Sequence, residues 1–66
     1  MTIDPAVTNL QILAEETMRN ATMHLLQGGR RVGLARAQMY GLVESELNEA
    51  AAAVGELHRL ANRRAG

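Results

Sequence analysis

The feature that most constrains this chain is a glycine pair, Gly28-Gly29, that divides it into two stretches of helical periodicity. Before the pair, Ile3, Val7, Leu10, Ala14, Thr17 or Met18, Ala21 and Leu25 recur at spacings of three and four. After it, Met39, Val43, Glu46, Ala50, Ala53, Leu57 and Leu60 do the same. Such spacing gathers the apolar residues of each stretch onto one face of a helix. Glycine just past the last periodic residue is the usual helix stop. The sequence therefore predicts an all-α chain with a helix over about 5–27, a glycine turn at 28–29 and a helix over about 32–63, all in one domain spanning 1–66. Two helices joined by so short a turn form an antiparallel hairpin. Thr2 or Asp4 suits the N-cap, and Pro5 the first helical position. Arg59, Arg63 and Arg64 complement the negative end of the second helix.

A hairpin of 66 residues has little interior. Small scaffolds gain the missing stability from disulfides, a metal or another chain. Cysteine is absent, which removes disulfides and thiolate metal sites and leaves oligomerisation. Two hairpins dimerising into a four-helix bundle or a coiled-coil-like assembly is the expected architecture. The oligomer seam is read as Met39, Val43, Glu46, Leu47, Ala50, Val54, Leu57 and Leu60. The second helix is the longer, so its last turns are expected to project past the start of the first and leave Leu57 and Leu60 in need of cover. Glu46 is the one polar residue in the seam. Either it sets register by pairing with an Arg of another chain, or it reaches water at the seam edge.

Helix two also carries Gly33, Ala37 and Gly41 at intervals of four, with Ala51, Ala52 and Gly55 in the same sector. Small side chains allow another helix to approach closely. The plainer reading is a solvated face of small residues. Helix one adds Ile12, Met23 and Leu26 away from its main stripe. These six positions, Ile12, Met23, Leu26, Gly33, Ala37 and Gly41, form the candidate partner surface.

Chemistry is poorly represented. The two histidines, His24 and His58, are distant within a hairpin and lack the spacing of metal ligands. No Ser or Thr has a His or Lys at helical spacing, and there is no Lys or Cys nucleophile. No cofactor, metal, catalytic residue or small-molecule substrate is expected, and two helices are expected to enclose no pocket of the usual size. Seven Arg balance seven acidic residues, which argues against affinity for polyanions through net charge. Arg30 and Arg31 follow the glycine pair at a helix N-terminus and are a candidate anion contact. Ala37, Gly41 and Leu47 fit the spacing of a helix-turn-helix. The segment that would enter the groove carries Glu44, Glu46 and Glu49 and no basic residue, and phosphates would repel it.

No apolar run is long enough to span a membrane, and no signal peptide is evident, so a cytoplasmic location is expected. The function expected from these residues is a non-catalytic, homo-oligomeric helical module, a regulator or adaptor that binds another protein and can inhibit it. The alternatives are a nucleic-acid-associated regulator using Arg30, Arg31 and Arg36 from paired chains, or a structural assembly subunit.

Overall fold

The structure, a computed structural model, describes residues 4–65. Thr2 and Ile3, read above as a cap and a stripe residue, lie outside the described residues. Helix α1 spans Pro5–Gly29 and helix α2 spans Gly33–Ala65. They pack against each other along their length. Three contacts fix the pairing as antiparallel: Asp4 with Arg64, His24 with Glu46, and Gly28 with Tyr40. The particle measures 50 × 18 × 12 Å, close to the length of α2 alone.

Asp4 is the N-cap of α1. Its carboxylate accepts from the Ala6 N–H at 2.9 Å, and its carbonyl accepts from Thr8 at 3.0 Å. Pro5 follows at the first helical position, where its missing N–H costs nothing. At the far end, α1 continues through Gly28 and Gly29, and the turn is Arg30 to Val32. The glycine pair is therefore inside the helix. Gly28 is buried, and a Cβ there would lie 2.8 Å from the Tyr40 ring and 3.2 Å from the Met39 Cβ. Its role is close approach between helices. The residue that needs glycine for its backbone is Gly33, with φ +60, where α2 begins. Arg36 then folds back, donating from Nη2 to the Gly29 carbonyl at 3.1 Å and from Nε to the Gly28 carbonyl at 3.3 Å. The Arg30 and Arg31 N–H groups bond Gln27 and Gly28. The carbonyls of the last turn of α1 thus find donor partners without a solvated cap.

The expected overhang lies at the opposite end. Arg64 reaches Asp4, so the C-terminal end of α2 is level with the start of α1. Leu57 and Leu60 are partly buried within their own hairpin. The first turns of α2, carrying exposed Leu34, extend beyond Gly29 instead. The reason is the Gly28–Tyr40 contact, which sets the register several residues into α2.

The seam itself is built from small side chains. Its buried apolar residues are Ala14, Ala21, Val43, Ala50 and Ala53, joined by Thr17. Val43 is the largest of them. Alanines let the two backbones approach closely but remove little apolar area from water.

Gly28 and Gly41 should respond to alanine with opposite signs. Gly28→Ala places a methyl against Tyr40 and should destabilise by about 1–2 kcal/mol. Gly41 is exposed, with nothing within 4 Å of an added Cβ, so Gly41→Ala should stabilise by about 0.5–1 kcal/mol. Urea melts of both variants check this, and stabilisation by both would remove the close approach at Gly28.

Candidate interaction surface

Of the residues read as an oligomer seam, six line the contact between α1 and α2. Val43 and Ala50 are buried, and Met39, Glu46, Leu57 and Leu60 are partly buried. Leu47 and Val54 stand outside that contact and are about half exposed. The intrachain seam therefore advances 39, 43, 46, 50, 53, 57, 60 along α2. On α1 it advances 7, 10, 14, 17, 21, 24, 28. This alternation of four and three is the pattern of knobs entering holes.

Following it strictly along α1 leads to His24 and not to Leu25. His24 Nδ1 lies 2.7 Å from Glu46 Oε1, with side-chain exposures of 30% and 14%. A ring N–H there donates to the carboxylate. Glu46 thus finds its partner within the hairpin, where the sequence offered an Arg of another chain or water at the seam edge. Leu25, displaced from the seam, is left on the flank.

That displacement creates a groove. Leu25, Tyr40, Val43, Glu44, Leu47 and Asn48 line an open hollow of about 380 Å³ between the helices. It is a surface depression open to solvent and not an enclosed pocket. The lining is mostly apolar and holds neither a nucleophile nor a histidine.

The other candidate residues are dispersed. Ile12, Met23 and Leu26 are exposed at 46%, 52% and 63%. Ala37 and Gly41 are exposed on α2, and Gly33 is the first residue of that helix. Arg30 and Arg31 are exposed beside it, whereas Arg36 is committed to the end of α1. Arg59 binds Glu56 at 2.5 Å on the surface and holds its carboxyl below the usual carboxylate range through that hydrogen bond and its charge. His58 contacts Asn62 at 3.2 Å, far from His24. Among the described residues, no group of three or more His, Asp or Glu stands together to hold a metal ion. Nor is any described helix long and apolar enough to cross a membrane. Comparison with protein-family models, curated proteins and solved structures finds no significant match to this chain.

The His24–Glu46 contact makes a direct prediction. His24→Ala leaves a mostly enclosed carboxylate without its donor and should cost about 1–3 kcal/mol. A double-mutant cycle with Glu46→Ala should return a coupling of at least about 0.5 kcal/mol. Additive losses in the two single variants would show that the pair does not act as a unit.

Proposed function

We propose that this chain is a non-catalytic helical interaction module that associates with copies of itself and presents its remaining helical surface to another protein. Occupying that protein's surface is how such a module regulates or inhibits. The supporting observation is the amount of uncovered surface. The chain exposes 5060 Å², whereas a compact monomer of 7.2 kDa is expected to expose about 4,100 Å². The excess is roughly 900 Å² by that relation. Large apolar side chains contribute to it on two sides of the hairpin. One group flanks the groove around Tyr40 and Leu47, and the other is Ile12, Met23 and Leu26 on the outer side of α1. Groups of exposed large apolar side chains in so small a protein support an interaction role.

Two surfaces suit two roles. The groove side borders the hairpin's own seam and serves self-association. The outer side of α1 is separate from it and is available to a different protein.

Light scattering at micromolar concentration should give at least twice the 7.2 kDa chain mass. A photo-crosslinking residue at Met23 should give a discrete adduct in native cell extract, lost when Ile12 and Leu26 are changed to Asp. A folded monomer that forms no such adduct would contradict the reading.

A further inference from the structure

The half-exposed large side chains are not spread evenly around the hairpin. At ~100° per residue, Tyr40, Leu47 and Val54 form one line along α2, and Met18 and Leu25 form one line along α1. The groove shows that Leu25, Tyr40 and Leu47 share a side. Each of the five is between 42% and 52% exposed. The opposite side is mixed, with Leu13 and Leu42 scattered among Asn20, Gln27, Glu49 and Glu56.

We propose that the face formed by Met18, Leu25, Tyr40, Leu47 and Val54 is covered by a second copy of this chain, related by a two-fold axis through Leu47 that crosses the helices. This rests on the self-association in the reading above and specifies its face and symmetry.

Two observations select that occupant. The first is area. A stable interface removes about 800 Å² from each partner, and the broad side of this hairpin, 50 by 18 Å, is large enough to supply it. One copy of similar width is enough to cover it. The second is the spacing along the face. An isologous contact must be self-complementary about its axis. Leu47 is seven residues from Tyr40 and seven from Val54. His24 meets Glu46, and Gly28 meets Tyr40, so the midpoint of Met18 and Leu25 lies level with Leu47. Both lines therefore share one centre. A two-fold axis there lays Leu47 on Leu47 of the second copy, Tyr40 on its Val54, and Leu25 on its Met18. The bulkiest residue meets the smallest, as interdigitation requires. Every adjacent helix pair is antiparallel under this axis, as it also is under a two-fold running along the hairpin, so the helix dipoles favour neither. The competing two-fold, running along the hairpin, would bring both turns to one end. It would set Leu47 against α1 of the second copy and hold the two Leu47 residues across the bundle diagonal, at about 11–14 Å for helices about 8–10 Å apart.

The absence of cysteine makes the test clean. Leu47→Cys, oxidised mildly, should cross-link to a covalent dimer at least tenfold faster than Glu49→Cys on the opposite side. Tyr40→Cys mixed with Val54→Cys should give mainly the mixed dimer, with little of either homodimer. That pair decides the matter alone if Leu47→Cys loses its helicity. Linkage of Leu47→Cys at only the control rate, in a parent protein of dimer mass, overturns this arrangement while leaving self-association intact. Preferential linkage of Leu47→Cys to Leu25→Cys does the same in favour of the competing axis. A monomeric parent overturns both this proposal and the self-association on which it rests.

Discussion

Close approach of two helices through alanine is the constraint from which the rest of this structure follows. Ala14, Ala21, Ala50 and Ala53 occupy the middle of the contact, and Gly28 extends it to the turn. Side chains this small fill the middle of the contact, and Leu10, Met39, Leu57 and Leu60 join it only partly buried. The other large residues sit beside the seam, where one hairpin covers them only in part. The interior is correspondingly slight, with Val43 as its largest buried apolar residue. A chain organised in this way has well-defined local geometry and an incomplete hydrophobic core. That combination is characteristic of a folding unit completed by another chain.

The polar contacts act at the two ends and the middle of the same seam. Asp4 caps α1 and also meets Arg64, tying the open end of the hairpin. Arg36 closes the other end over the carbonyls of Gly28 and Gly29. His24 and Glu46 sit between them, within an otherwise apolar line. A polar pair in such a line costs desolvation, and its benefit is specificity, because a shift of one helix past the other would separate the two groups. Surface pairs such as Arg59–Glu56 add little by comparison.

Much of the fold was legible in the residues. Both helices and their antiparallel arrangement follow from periodicity, and so does the α2 stripe through Met39, Val43, Ala50, Leu57 and Leu60, which the sequence assigned to a contact between chains and the structure places within the hairpin. Asp4-Pro5 also announced its cap correctly. The misreadings share one cause: hydrophobicity and glycine were taken at face value. Leu25 looked like the better seam residue than His24, although unbroken four-three alternation leads to His24. Gly28 looked like a stop, but its neighbours in space make it a contact. That required knowing that Tyr40 lies opposite, which no local pattern reveals. The overhang was placed at the wrong end for the same reason, since register is set by that contact and not by helix length. The candidate surfaces were only partly legible. Ile12, Met23 and Leu26 could be named from the sequence, whereas the face joining Met18 and Leu25 to Tyr40, Leu47 and Val54 emerges only when the two helices are set side by side.

We propose that the hairpin is half of a folding unit. Association stabilises a native state by mass action, so the melting temperature of an obligate assembly depends on chain concentration. Circular dichroism melts across a hundredfold range of concentration test this directly. The account predicts a melting temperature that rises steadily with concentration, and loss of helicity at the lowest concentrations. A melting temperature independent of concentration, with full helicity retained on dilution, would contradict it.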